Sequence, residues 1–589
     1  MKPPTGRATG TLYPFWTAAA LFALALVLFI GRCLVETGFL SIPLDDGWIH
    51  LSFARNLAAG RGFCLGLDET PVSGSTAPLW TFLLALGLLT GMGPVTAALG
   101  LGLACALAAL AAAAALGRTL AGNRLGALLT AGGLALAPRF VWGALSGMEV
   151  PLFTFLVTLA LWLQLRGRSS WAGPLVGSLA GWARPECFAV GAFLALLSLF
   201  RSEGRPGRSL PSLLAGPVAF LLPLAGWLFF HASVYGHLLP TTFYVKAAGS
   251  SPLSVENAGE LLPFLTLYPL MQMAALIGYI GFFNPFLCSG PLLALKKRRK
   301  GILATVLLIL FFGAARGFLG FAGPWLQHGR YYTFLYPLLL ALSAAGLTGE
   351  GDRKATGVVG VLPHIGMVLL MGGLLLAPAA AWSEGFRLFL LDDPGARLDP
   401  DQALSLLPLL VGAPVLLYLL YTLLTARRPP AAATGALLTA AALAWAGLSL
   451  WIMAGGYARN VAETEKAHVG MARHVAAHTP PGAVIACHDI GALGFFGERK
   501  LLDLVGIATP EVLFWREGRP ADRLDYLRTR RPDYLCFIPG WFNRALAGLA
   551  EDVAAGRLEY REVHRIEMPE TVTIGGRSYL LVRLRWRDG

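Results

Sequence analysis

The chain has 589 residues, 56% of them hydrophobic and only 14% charged, with a net charge of +13. Soluble domains are nearer a quarter charged, and apolar runs of about 20 residues recur here too often for a soluble fold to bury them all. These figures exclude a soluble globular protein, and the positive charge, gathered in short loops such as Lys296-Lys297-Arg298-Arg299-Lys300, reads as membrane topology rather than nucleic-acid binding.

In chain order, apolar segments predict helices at about 13–33, 95–116, 125–141, 149–165, 171–184, 185–201, 210–231, 262–292, 301–322, 330–347, 358–380, 405–425 and 431–454. No cleavage motif follows the first run, which reads as a retained anchor. Basic residues at Arg118/Arg124, Arg166/Arg168, Arg201/Arg205/Arg208, 296–300, Arg353/Lys354 and Arg427/Arg428 mark cytoplasmic loops. About 13 spans satisfy them together, with the N-terminus inside and the C-terminus outside. Residues 78–91 are apolar but too short to span and precede Gly-Met-Gly-Pro, so they are expected as an interfacial or re-entrant helix. The expected organisation is a polytopic helical membrane domain, 1–455, whose extracytoplasmic loop 34–94 carries paired acids, followed by an extracytoplasmic α/β domain, 456–589.

Within that tail, Glu463 to Ala477 reads as a helix ended by Thr-Pro-Pro-Gly. Val484–Cys487 and Asp533–Phe537 read as strands, His488-Asp489-Ile490-Gly491 leads into a short helix, and 556–565 and 577–586 alternate as half-exposed strands. The seven cysteines have no metal-ligand spacing; Cys487 and Cys536 lie in two expected strands and could meet.

The loop after the first helix holds Asp45 and Asp46 at the start of an amphipathic segment. One acid suffices as an N-cap; two close together raise a pKa and suit a general base or a cation site. Trp48, Ile49 and Phe53 are expected to anchor this segment among lipid headgroups. Ser73, Ser75 and Thr76 follow as hydrogen-bond donors, and Pro78 starts the next helix. Near-membrane charges are Glu149, Arg184, Glu186, Arg316, His328 and Arg330. Such groups are paired or functional, and Arg184 with Glu149 or Glu186 is the natural internal pairing. Tyr244 and Lys246 are phosphate or sugar contacts, or an interfacial anchor. Together these residues offer a carboxylate base, cations for a phosphate and aromatics for a ring or lipid on one membrane face. The chain has no P-loop, no H-E-x-x-H and no Gly-x-Ser-x-Gly pattern.

The chain resembles the polytopic GT-C glycosyltransferases that use polyprenyl-phosphate sugars. It is most similar to the terminal β-(1→2) arabinofuranosyltransferase branch of mycobacterial cell-wall synthesis and its wider bacterial relatives. The residues that carry this are Asp45-Asp46, Phe53-Ala-Arg-Asn-Leu57, Gly60-Arg-Gly62, Ser75-Thr-Ala-Pro-Leu-Trp80, Gly147-Met-Glu149, Arg184-Pro-Glu186, Leu239-Pro-Thr-Thr-Phe-Tyr-Val-Lys246 and His328-Gly-Arg-Tyr-Tyr332. Asp489-Ile-Gly-Ala-Leu-Gly494 and Asp503-Leu-Val-Gly506 continue it in the tail. The resemblance implies an inverting sugar transfer at the outer face of the bacterial inner membrane, from a polyprenyl-phosphate donor to an envelope glycan or glycolipid. It implies Asp45 or Asp46 as base, Asp45 marginally preferred, with its partner orienting the acceptor or helping to hold a divalent cation. Arg184, Lys246 and Arg330 would meet the donor phosphate, and His328, Glu149, Glu186, Tyr244, Trp48 and Ser75 would line the same cavity. Arabinofuranose is the sugar implied, with mannose or another sugar as the alternative. A transporter or flippase for a lipid-linked substrate is the rival class, and the chain is expected to act as a monomer without nucleic acid.

Overall fold

A computed structural model of the chain describes residues 9–66, 71–200, 209–250, 294, 300–318, 330, 332–348, 431–514, 522–539, 543–568 and 578–587. The apolar segments expected at 262–292, 358–380 and 405–425 lie outside the described residues. Among the described residues, three helices are long and apolar enough to cross a membrane. They are α1 (Thr9–Thr37), α4 (Pro94–Ala121) and α10 (Leu210–Tyr235). Between α1 and α4 lie α2 (Asp45–Ala58) and α3 (Pro78–Leu89). Helix α3 occupies the segment expected as a short non-spanning helix, with Pro78 in its first turn, where a missing N–H costs nothing.

The segment expected as one span at 125–141 is instead two helices, α5 (Arg124–Ala135) and α6 (Pro138–Ala144), bent by 63°. The break is at Pro138, which holds Ala137 in extended backbone and opens α6. Then come α7 (Val150–Arg166), α8 (Ala172–Ala183) and α9 (Phe188–Phe200). Helices α8 and α9 have 12 and 13 residues, short of the roughly 20 a straight crossing needs. They form a close hairpin in which Gly177 faces the backbone of Gly191, and its turn presents Arg184 and Glu186. Helix α11 (Thr241–Ser250) follows α10, and α12 (Lys300–Phe318), α13 (Leu335–Thr348) and α14 (Ala431–Thr464) complete the described bundle.

The tail grows out of the bundle without a loop. Helix α14 runs 34 residues, continues through a π-helical turn at Glu465–Val469 and ends as α15 (Gly470–His478). The helix expected at 463–477 is thus the end of a longer rod. Gly455-Gly456, which would weaken a free helix, lies where the Arg32 guanidinium crosses α14 against Gly455. Pro480-Pro481 then stops it, as expected.

The five-stranded sheet has the order β2-β1-β3-β5-β4. Its strands are β1 (Val484–Cys487), β2 (Lys500–Asp503), β3 (Tyr534–Phe537), β4 (Leu558–Glu567) and β5 (Ser578–Trp586). β1 is parallel to β2 and β3, whereas β5 is antiparallel to β3 and β4. A short apolar central strand buried on both faces is typical of parallel pairing. One face, with Ile485, Cys487, Cys536 and Leu581, packs on Val469, Met471, Val475 and Leu493, in a core continuous with that of the bundle. The other, with Ala486, Leu502, Leu535 and Val582, packs on Tyr526, Leu527 and Leu549. The latter come from α18 (Asp522–Arg530) and α19 (Asn543–Ala554), which follow α16 (Gly491–Phe496) and α17 (Glu511–Phe514). Cys487 and Cys536 are register partners on β1 and β3, and neither is in a disulfide.

Candidate active site

Helix α2 separates the two acids. Neighbouring residues on a helix point about 100° apart, so Asp45 and Asp46 serve different faces. Asp45, with Trp48, Ser52 and Arg55 following at spacings of three and four, faces the tail. Asp46, with His50 one turn on, faces the bundle.

On the tail side, both Asp45 carboxylate oxygens accept backbone N–H bonds from the start of α16. The donors are Gly491 at 2.8 Å and Ala492 at 2.7 Å. Asp45 is a cap, as an N-terminal acid can be, but for a helix 446 residues away. Ser52 donates to the Gly491 carbonyl at 3.3 Å. Arg55 donates to the carbonyls of Phe495 and Gly494 at 2.5 and 3.0 Å. Trp48, expected among lipid headgroups, is 2% exposed and packs against Phe495 and Phe496. Ile49 and Phe53 are buried too. The headgroup expectation for these three residues is corrected: all three are buried, Trp48 against the tail and Phe53 against Phe63 of its own loop.

Beside Asp45 stands a charged set from the tail. His468 Nε2 is 3.2 Å from Asp489 Oδ2, and His488 Nδ1 is 3.0 Å from Asp489 Oδ1. His488 Nε2 accepts the Ile538 N–H at 3.0 Å, so any ring proton of His488 sits on Nδ1, toward Asp489. Although burial opposes it, the carboxylates of Asp45 and Asp489 push His468 up to about 9. Burial pushes Asp45 up, and the two histidines hold Asp489 well below the usual carboxylate range despite its burial.

On the bundle side, Arg330 donates to Asp46 at 2.5 Å, with the Asp46 side chain 38% exposed and that of Arg330 5%. His50 Nδ1 contacts the Ser75 hydroxyl at 2.9 Å, and that hydroxyl contacts Thr81 at 2.8 Å. His50 Nε2 lies 3.4 Å from Glu149. Arg184 bridges Glu149 at 2.5 Å and Glu186 at 3.3 Å. Both internal pairings expected of Arg184 are therefore made. Glu149 is presented by the Ser146-Gly147-Met148 turn, where Gly147 takes φ +71, a conformation that favours glycine. Trp80 fixes this turn by donating to the Gly147 carbonyl at 3.1 Å.

The structure thus gathers Asp45, Asp46, Ser75, Glu149, Arg184, Glu186 and Arg330 at one end of the bundle, against the tail. Tyr244 packs beside His237 and Phe243 on the neighbouring α11. Lys246 lies on α11, with its side chain outside the described residues, and His328 is also outside them. Sequence reasoning missed His50, whose signal was its position one turn after Asp46. It also missed His468 and the partners of Asp489, for which no local pattern exists.

Among the described residues, the donor atoms close enough to share a cation belong to Asp45, His468 and Asp489, within 4.8 Å of one another. Asp46 is engaged with Arg330 instead. The Asp45 oxygens already accept two N–H groups, and an imidazolium at His468 supplies the positive charge a metal would bring. This donor set does not fit a resident metal ion.

Residues 458–581 match a family described as Domain of unknown function (DUF8728). No curated protein matches the chain. Among solved structures, ArnT from Cupriavidus metallidurans bound to undecaprenyl phosphate is 15% identical with a TM-score of 0.50, over 96% of this chain and 98% of that one. Its apo form is 16% identical with a TM-score of 0.52, over 96% and 97%. An oligosaccharyltransferase from Archaeoglobus fulgidus in the apo form is 11% identical with a TM-score of 0.46, over 88% of this chain and 69% of that one. The chain shares the fold of the ArnT structures, a helical bundle followed by a small C-terminal sheet region.

Proposed function

We propose that this chain is an inverting glycosyltransferase of the bacterial inner membrane, with about 13 spans and its site and tail on the outer face. It moves a sugar from a polyprenyl-phosphate donor to an envelope glycan or glycolipid. The observation that carries this reading is the pairing of Asp46, half open to solvent, with the buried Arg330, beside the Glu149–Arg184 group on an ArnT-like fold. ArnT in one of those structures holds undecaprenyl phosphate, which supports a lipid phosphate as the donor here. We favour arabinofuranose as the sugar, with mannose the alternative within the superfamily.

Asp46 is the base, in preference to Asp45. A base must be reachable by the acceptor hydroxyl, and Asp45 has both oxygens engaged with α16. The donor phosphate draws Arg330 from Asp46, and Arg184 adds a second cation. Asp46 then takes the hydroxyl proton, the acceptor oxygen attacks the anomeric carbon, and the bond from that carbon to the phosphate oxygen breaks. Its electron pair leaves with the polyprenyl phosphate, and the configuration inverts. Charge stabilisation and positioning do most of the work, because phosphate is a good leaving group.

The test is sugar transfer from polyprenyl-phosphate donors in proteoliposomes. Asp46→Asn lowers kcat by roughly 100-fold or more while the protein inserts and stays monodisperse. Wild-type transfer by that variant would sink the assignment. Chelation with EDTA leaves the wild-type rate unchanged, and loss of activity restored by a divalent cation would refute the metal-free reading.

A further inference from the structure

Helix α16 is only six residues long, yet α2 holds it along its whole length. At its start, Gly491 and Ala492 donate to Asp45; at its end, Gly494 and Phe495 accept from Arg55. A carboxylate at a helix start and a guanidinium at its end each match the partial charge found there. The Arg55 guanidinium also lies 4.7 Å over the Phe495 ring.

The two elements meet through glycine. A Cβ added to Gly491 would overlap the Asp45 carbonyl oxygen, and one added to Gly494 would stand 3.0 Å from Leu65 Cγ and 3.3 Å from Ser52 Oγ. Gly491 and Gly494, one turn apart, make the flat side of α16 on which α2 lies. The Asp489-Ile-Gly-Ala-Leu-Gly494 motif thus combines an acid facing His468 with two glycines facing α2. Asp46 follows Asp45 directly, so the backbone position held by α16 is also the one that aims Asp46.

We propose that α16 of the tail is the device that aims the acidic pair, with Gly491 and Arg55 acting as positioning residues for sugar transfer. This rests on the function proposed above. The tail thereby completes the site it leans on, and Asp45 acts through backbone geometry while Asp46 meets the substrate. The donor phosphate is bound by Arg184 and Arg330, whose ion pairs are with Glu149, Glu186 and Asp46, so the effect falls on turnover rather than on donor binding.

Three variants of the full chain test this: Gly491→Ala, Arg55→Met and Arg55→Lys. In Gly491→Ala and Arg55→Met, kcat falls roughly 100-fold, the penalty of about an ångström of misplacement, while donor KM stays within about twofold. Arg55→Lys, which keeps a donor for the carbonyls, recovers to within about tenfold of wild type. A parallel hydrogen-exchange measurement needs no substrate: the Gly491 and Ala492 amides exchange faster in Arg55→Met, while those of β3 do not change. Wild-type kcat in Gly491→Ala, or a raised donor KM with unchanged kcat, overturns the proposal. If Gly491→Ala fails to fold, the Arg55 pair decides. Should wild type transfer no sugar from any polyprenyl-phosphate donor while Arg55→Met still speeds exchange, the functional reading and the positioning role fail together and only the clasp stands. An active wild type with unaltered exchange in Arg55→Met defeats the clasp alone.

Discussion

Asn56 is fully buried, and its Nδ2 lies 2.9, 2.8 and 2.9 Å from the carbonyl oxygens of Cys64, Leu65 and Gly66. It shapes the loop that Gly60-Arg-Gly62 opens. Asn56→Asp replaces the donor with a carboxylate facing three carbonyls, and is expected to cost about 3 kcal/mol, read as an earlier midpoint in denaturant titration in detergent. Glu149→Gln is expected to cost a similar amount, about 3 kcal/mol, because it removes a negative charge that balances a buried guanidinium. The Arg184–Glu186 contact at 3.3 Å survives, so the variant stays folded and the same titration reads the loss. These two residues show what a motif conveys by itself. The sequence marked Asp45, Asp46, Glu149 and Arg184 as charges that need partners, because unpaired charges are rare at such depths. It placed Asn56 within a motif but gave it no role, because its task is local geometry, and it did not mark His468, whose neighbouring charge Asp45 is distant in sequence.

Helix α2 was legible as an amphipathic segment, and its helical phase, once known, explains why adjacent acids part company. Strand β2 was not legible: Lys500-Leu-Leu-Asp503 has a charge at each end and no β-branched or aromatic residue, unlike the equally short β1 and β3. The tail adds a pH-sensitive contact. His474 stacks on His478 at 4.1 Å and on His564 of β4 at 3.7 Å. Burial and the neighbouring rings push His474 down to about 4 from an ordinary 6.5, and burial also pushes His564 down. A lowered histidine pKa means that the unfolded chain binds the proton more readily, so this contact contributes fully above about 6.5 and weakens as the pH falls toward 4. The protection factors of the β4 amides, taken relative to intrinsic exchange at each pH, are therefore expected to fall between about pH 6.5 and 5, and His474→Phe to flatten that dependence. Equal acid sensitivity in the variant would place the cause elsewhere.

Over the whole molecule, the bundle and the inner face of the tail sheet share one hydrophobic core. The composition made the bundle legible. The shared core was hidden, because it joins residues that are hundreds of positions apart, such as Trp48 with Phe496. A chain ended after residue 464 would expose Trp48 and leave Asp45 without α16. It is expected to aggregate in mild detergent, whereas the full chain elutes as a single species in size-exclusion chromatography. The rod of α14 has a further consequence. At 1.5 Å per residue, its 34 residues reach about 50 Å, against a hydrocarbon core of about 30 Å. Arg32 grips it at Trp451, donating to the carbonyl there at 2.8 Å. The tail is carried on a mast and not on a tether: among the described residues the rod runs from the bundle into α15 without a loop, so under the proposed function the acceptor travels to the tail rather than being fetched by it.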